Sequence, residues 1–414
     1  MIKTASLRSL LLASLLALLS FPIVASAEPD PLLVSQGRID AMAELIGQRH
    51  VDRTLARIET FYDFEGPGSW GFEWRKLGKK FEARGDRFER WGWDSQALRT
   101  YLKAQEIYRL GYLPENFRPE ERVSWASFAA VQHKINALSE VPYVEEVIVV
   151  QNRNVTIQLY LPQTTGPHGL VLYTGGVDGS KESGLETGQL FAAAGYATAA
   201  FDLVGTGELV DWVATPDSFD LHRAILDHYE SDPRFDFSRV GVLGGSFGGY
   251  YAIQLADSSV DPRPKAVINH CGLVSSLFEN VPPEFVLRNF ILPTPDGDRP
   301  RSFMRRIGID PDDFDYDELL QLFTPFSLTS RGVVGTGSTT LDIPILTVNG
   351  GRDSQLAPLS DMMAVQDAAA DGELWVLGLS GHCAGDYMPT ARPDMVRWAV
   401  CRMEGLSNED CHRE

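Results

Sequence analysis

Three short stretches hold residue types that together could transfer an acyl group: GGSFGG around Ser246, NGGRDS around Asp353 and LSGHCAGD around His382. A serine hydroxyl is a weak nucleophile until a base removes its proton. His382 could take that proton and later hand it to the leaving group. Asp353 could hold the second ring nitrogen, which fixes the tautomer and stabilises the imidazolium. Each residue also has a plainer reading. Ser246 fits a glycine-rich strand-to-helix turn, Asp353 a helix cap, and His382 a surface loop. Asp361 is a rival acid and His270 a rival base.

The elements around these residues decide between the readings. VEEVIVVQNRNVTIQLYLP reads as two extended runs around Gln151 to Asn154, an antiparallel hairpin. Apolar runs then alternate with helical segments: Gly169 to Tyr173, Tyr196 to Asp202, Val240 to Gly244, Ala266 to His270, Ile343 to Val348 and Glu373 to Gly378. Apolar runs buried on both faces and separated by helices predict a mostly parallel, doubly wound α/β sheet. Such a sheet carries its site beyond the carboxyl ends of its strands. Ser246, Asp353 and His382 each follow one of those ends, in the chain order of the α/β-hydrolase fold.

An acyl-transfer site also needs donors for the oxyanion. The amide of Phe247, directly after the serine, is one. The second is expected from the loop after the third strand, TGGVDGSKE, at Gly176 or Val177. In the GGSFGG turn, Gly244 and Gly248 are expected to relieve crowding between strand and helix, and Gly245 to free space before the serine. The segment from about 272 to 341 has no strand pattern and reads as a helical excursion, with PPEFVLRNFIL as one of its helices.

The chain has 414 residues, 44% hydrophobic and 22% charged, enough for one large domain and a smaller one. Its net charge of -19 argues against a nucleic-acid partner. At the N-terminus, Lys3 and Arg8 precede an apolar run from Leu10 to Phe21 and then Ala25-Ser26-Ala27. This predicts a signal peptide over 1–27, cut after Ala27, and a periplasmic or secreted protein. About a dozen apolar residues fall short of the roughly 20 that span a bilayer. Cleavage removes two positive charges, taking -19 to -21, so stable membrane association is not expected. Four cysteines permit two disulfides in an exported chain: Cys401 and Cys411 lie near each other, while Cys271 and Cys383 can pair only if their strand ends meet. No zinc-type spacing occurs, and neither metal nor organic cofactor is expected.

Residues 28–140 read as a helical cap domain and 141–414 as the catalytic domain. Trp74, Leu77, Phe81, Phe88 and Trp91 recur at helical steps, and Asp94 or Ser95 can cap a further helix that Gly111 can end. Phe61, Tyr62, Phe64, Trp70, Phe72, Trp74, Trp91 and Trp93 crowd one region, and most are expected in its core.

The pattern EW…LG…FE…G…A…Y..A..IYR (Glu73 to Arg109), followed by GGVDGSKE, DLVGTGE, GGSFGG and GGRD, resembles one group of α/β-hydrolases. That group contains the fermentation-respiration switch protein, 2,6-dihydroxypseudooxynicotine hydrolase and fungal pigment-precursor chain-shortening hydrolases. The resemblance implies an acyl-cleaving site roofed by the N-terminal helices. A lid formed by those aromatic helices and by the excursion over 272–341 predicts a small to medium, partly apolar substrate. Some members cut esters, others carbon–carbon bonds beside a ketone. In the latter an acidic residue after the third strand takes part, a position that falls on Asp178. The plainer role for Asp178 is capping, or pairing with Lys181. Ester cleavage is the first expectation here and ketone cleavage assisted by Asp178 the alternative. Whether the chain forms a homodimer stays open.

Overall fold

The computed structural model describes residues 36–60, 65–113, 117–279, 299–310, 313–335, 341–354 and 356–411. The expected signal peptide, the PPEFVLRNFIL helix and Phe61, Tyr62 and Phe64 lie outside the described residues.

Eight strands form one sheet: β1 Tyr143–Val150, β2 Arg153–Tyr160, β3 His168–Thr174, β4 Tyr196–Phe201, β5 Phe235–Gly245, β6 Pro264–His270, β7 Ile345–Gly350 and β8 Gly372–Leu377. Their order is β1-β2-β4-β3-β5-β6-β7-β8. β1 pairs with β2 and β2 with β4 antiparallel; every other pair is parallel. The β1–β2 turn places Gln151 and Asn152 at φ 50° and 60°, as a two-residue hairpin turn requires. Every residue of β4 and of β7 is buried, which is why these strands read as apolar runs rather than alternations. The chain runs from β3 outward to β4 and then returns past β3 to β5. The crevice between the loops after β3 and β5 is therefore the switch point where such sheets bind ligands.

The N-terminal helices are α1 Gln36–Ile46, α2 Gln48–Leu55, α3 Trp70–Arg90, α4 Asp94–Tyr112 and α5 Pro119–Ala137. α3 and α4 form an antiparallel hairpin in which the Tyr108 and Tyr101 rings fill the notches at Gly78 and Gly85. Those tyrosine hydroxyls donate to Glu82 at 2.6 Å and to Asp86 at 2.8 Å, so their burial leaves no orphaned oxygen. Two expectations are corrected here. Gly111 does not end α4; it lies inside it, where a side chain would press on Ser124 of α5. Trp91 and Trp93 are not core: they flank the α3–α4 turn, 59% and 50% exposed, with Trp93 stacked on Phe88. Helical periodicity cannot see that the hairpin ends there. Trp70 and Trp74 are fully buried.

The catalytic half carries α6 Leu185–Ala193, α7 Asp220–Tyr229 and α8 Phe247–Gln254, then α9 Arg299–Arg306 and α10 Tyr316–Phe323 in the excursion, and α11 Leu359–Ala368 and α12 Met388–Met403. The described part of the excursion packs on α8 through aromatic rings. Phe303 meets Phe247 edge-on at 5.1 Å, and Phe326 lies 5.8 Å from Tyr250.

Gly248 sits where α8 crosses the end of β3. A Cβ there would lie 2.5 Å from the Gly175 carbonyl oxygen and 2.7 Å from Thr174 Oγ1. Neither backbone can retreat without opening the sheet. Gly248→Ala is expected to cost about 3 kcal/mol or more, as overpacking against backbone does, measured as a drop in the urea midpoint. Gly244 is crowded as expected, since a Cβ there would run into the Gly248 carbonyl; Gly245, by contrast, has room for a Cβ, and Gly249 is a further crowded position, against Asn269 and Gly272.

Candidate active site

Ser246 lies between β5 and α8 at φ 51° and ψ -117°, a conformation that side-chain-bearing residues rarely adopt. Two hydrogen-bonded ends hold it there. Its N–H donates to the His270 carbonyl at 2.8 Å, and its own carbonyl accepts the Tyr250 N–H at 3.2 Å. The turn lifts the hydroxyl off the sheet, half-buried and facing the loops after β3 and β8.

The structure brings the three sequence-selected residues together. Ser246 Oγ lies 2.9 Å from His382 Nε2, and His382 Nδ1 lies 2.6 Å from Asp353 Oδ2. Asp353 is buried and accepts three further N–H groups: Asn349 Nδ2 at 3.0 Å, Leu356 at 3.1 Å and Ala357 at 3.1 Å. Burial pushes its carboxyl up, but the His382 ring and these donors outweigh that and hold it well below the usual carboxylate range. The acid therefore stays ionised, and an ionised acceptor makes His382 Nδ1 the donor. That leaves Nε2 free to accept the Ser246 proton.

The rivals are placed elsewhere. Asp361 accepts the Ser275 and Ser276 N–H groups at 3.0 and 2.9 Å, tying down the segment after β6. The His270 ring faces the Cys383 carbonyl at 2.8 Å, not the serine hydroxyl.

The loop after β3 closes the other side of the serine. Gly176 approaches so closely that a Cβ on it would lie 2.8 Å from Ser246 Cβ, so only glycine fits. A turn follows at once, with the Gly179 N–H donating to the Gly176 carbonyl at 3.0 Å. Val177 is half-buried one residue on. Phe247 is the first residue of α8, whose leading amides have no partner within the helix. Phe247 thus follows the serine at the head of α8, and Gly176 approaches it from the loop after β3, with Val177 next in that loop.

Asp178 does not pair with Lys181. It bonds Arg38 of α1 at 2.7 Å, linking the cap to the loop beside Ser246. Lys181 is fully buried, with Asp202 at 3.3 Å, Glu182 at 3.2 Å and Glu208 at 2.9 Å. Its backbone N–H also donates to Asp202 Oδ1 at 2.7 Å, pinning the far end of the β3 loop to the end of β4. Sequence reading missed this pairing, although both partners stand in quoted motifs, SKE and DLVGTGE. It also missed Asn349 and His270 as supports.

Both disulfides are formed, Cys271–Cys383 and Cys401–Cys411. His270, Cys271 and Cys383 lie within 4.8 Å of one another, but the two sulfurs are bonded to each other. A surface cavity of about 380 Å³ at the α5–β1 junction is lined by His133, Asn136, Ser139 and Tyr143, among others; Ser246, Asp353 and His382 do not border it.

Comparison with known proteins agrees with this architecture. The profile of the FrsA-like esterases matches residues 42–380. Esterase FrsA of Photobacterium profundum is 26% identical over 335 residues, 78% of this chain and 75% of that protein. The 2,6-dihydropseudooxynicotine hydrolase of Paenarthrobacter nicotinovorans is 23% identical over 60% of this chain and 65% of that one. A solved structure of 2,6-dihydroxy-pseudo-oxynicotine hydrolase superposes with a TM-score of 0.68 at 20% identity, covering 90% of this chain and 97% of that one. The eight-stranded sheet, its helical N-terminal region and the profile match lead to one conclusion: this chain is an α/β-hydrolase enzyme and belongs to the FrsA-like esterase family.

Proposed function

We propose that the protein is an exported serine hydrolase that cleaves carboxylic esters of small to medium, partly apolar molecules. The observation carrying this reading is the continuous hydrogen-bonded line Ser246–His382–Asp353, at 2.9 and 2.6 Å. Ser246 Oγ attacks the acyl carbon as His382 Nε2 takes its proton. The Phe247 and Gly176 amides, with Val177 next in line, hold the oxyanion; one such donor is worth about 3 kcal/mol. His382 then protonates the departing alcohol. Water, deprotonated by the same ring, releases the acid and regenerates the serine. Export rests on the leader-like 1–27 segment and on four cysteines all paired in disulfides.

A fluorophosphonate probe is expected to label Ser246 covalently, located by peptide mass spectrometry. A folded protein left unlabelled at Ser246 would overturn the reading.

A second reading, carbon–carbon bond cleavage beside a ketone, is favoured by Asp178, a carboxylate two residues from the Gly176–Ser246 contact. The two separate in a panel of p-nitrophenyl esters and β-diketones run on wild type and Asp178→Asn. Ester cleavage predicts a change under about fivefold for esters and no diketone turnover. Carbon–carbon cleavage predicts diketone turnover that falls about 100-fold in the variant, the range of a lost general acid–base group.

A further inference from the structure

The end of β6 touches the loops that carry Ser246 and His382. His270, its last residue, accepts the Ser246 N–H on its carbonyl and donates from ring Nε2 to the Cys383 carbonyl, each at 2.8 Å. A carbonyl only accepts, so Nε2 carries the proton. Burial pushes this imidazole down to about 4, and the ring remains neutral at pH 7. The next residue, Cys271, donates its N–H to the Val348 carbonyl of β7 at 2.7 Å and is bonded through sulfur to Cys383. Asn349 of β7 adds a third tie: its Oδ1 accepts the Cys383 N–H at 3.0 Å, while its Nδ2 donates to Asp353 at 3.0 Å.

Three links thus converge on Cys383, the residue directly after His382. Elsewhere in the loop the Ser380 carbonyl accepts the Arg352 N–H at 2.8 Å, the Ser380 hydroxyl donates to Asp386 at 3.0 Å and Ala384 is buried, but only the disulfide ties the segment of the base covalently. Gly381 and Gly385 flank it, both exposed, with open space where a side chain would stand. Cys383 and Ala384 take φ 61° and 46°, and Cys271 takes 57°. Side-chain-bearing residues persist in such conformations only where their surroundings impose them.

We infer that the Cys271–Cys383 disulfide is a positioning element for His382, so that hydrolysis requires this bond to be oxidised. The inference rests on the hydrolase reading above. The redox step balances simply. A small dithiol attacks one cystine sulfur, the Cys271–Cys383 bond breaks, and the second thiol closes the reductant into a cyclic disulfide. The two electrons and two protons pass to Cys271 and Cys383 as thiols. Only non-covalent contacts, those at Cys383, Ser380 and Ala384, then hold the loop, and His382 samples positions away from Ser246. A displacement of about 1 Å costs on the order of 100-fold in rate.

The test compares oxidised wild type, Cys271→Ser/Cys383→Ser and Cys401→Ser/Cys411→Ser on p-nitrophenyl butyrate. EDTA is present throughout, because the freed thiols and His270 could capture zinc. The first double variant is expected to lose roughly 10- to 100-fold in kcat with KM within about twofold, and to label Ser246 correspondingly slowly. The second, which loses a disulfide remote from the site, is expected to keep both constants. Should the first variant fail to fold, wild type is titrated with dithiothreitol while circular dichroism follows the fold and alkylation with mass spectrometry follows each cysteine. Activity is then expected to fall in step with reduction of Cys271 and Cys383 and to return on reoxidation. A kcat within twofold of wild type, in the folded variant or in wild type with this pair reduced, overturns the inference. Oxidised wild type that neither hydrolyses esters nor labels overturns the hydrolase reading instead.

Discussion

Ser246→Ala is expected to lower ester turnover about 10⁶-fold while leaving the fold intact. The size follows from the hydroxyl's position at the head of the line: without Oγ, His382 has no proton to take and the acyl carbon has no attacking atom. What survives is the weak effect of binding and oxyanion donors on attack by water. The fold is expected to hold because alanine suits the strained turn no worse than serine, and both backbone anchors remain, Ser246 N–H to His270 and Tyr250 N–H to Ser246. Steady-state kinetics with matched circular dichroism measure this. More than about 1% residual activity, free of wild-type contamination, would place the nucleophile elsewhere.

Asp353→Asn is expected to cost about 10⁴-fold in kcat. Four N–H groups converge on this carboxylate, from His382, Asn349, Leu356 and Ala357. An amide can satisfy only part of that set. Either its NH2 points at the Leu356 N–H, donor against donor, or it points at His382 and reverses that contact. In both orientations the charge that stabilises the imidazolium is gone. The same residue sets a pH dependence of stability. Its folded-state pKa lies below the unfolded value, so its contribution is fully present above about pH 4 and is lost as pH falls through the folded value. Urea midpoints of wild type and variant should therefore differ by a constant amount at neutral pH, and the gap should close in strong acid. A gap that widened on acidification would contradict this assignment.

Much of the site is legible in the chain because a parallel sheet converts sequence into position. Once six apolar runs are recognised as strands, a residue just past a run must stand on one edge of the sheet, and Ser246, Asp353 and His382 all do. The glycine of TGGVDG is legible for the same reason, since the β3 loop must pass the serine. Side chains that support the site are harder to read. Asn349 sits in ILTVNG as one polar residue ending an apolar strand, and nothing local says that it bonds both Asp353 and Cys383. Asp178 and Lys181, three residues apart, look like natural partners. Yet the loop turns at Gly176–Gly179 and sends one to Arg38 and the other to Asp202.

The sequence alone indicated the strands, their mostly parallel arrangement and the strand ends at which Ser246, Asp353 and His382 stand, because strand periodicity and strand-end chemistry are local properties. Only the tertiary structure decided which cysteines pair, which carboxylates meet Lys181, that Trp91 and Trp93 face solvent, and that the end of β6 braces the loops of both Ser246 and His382. The contacts among these join segments far apart in the chain, 112 residues for Cys271 and Cys383. Their energies depend on distances that exist only once the sheet has brought the loops together.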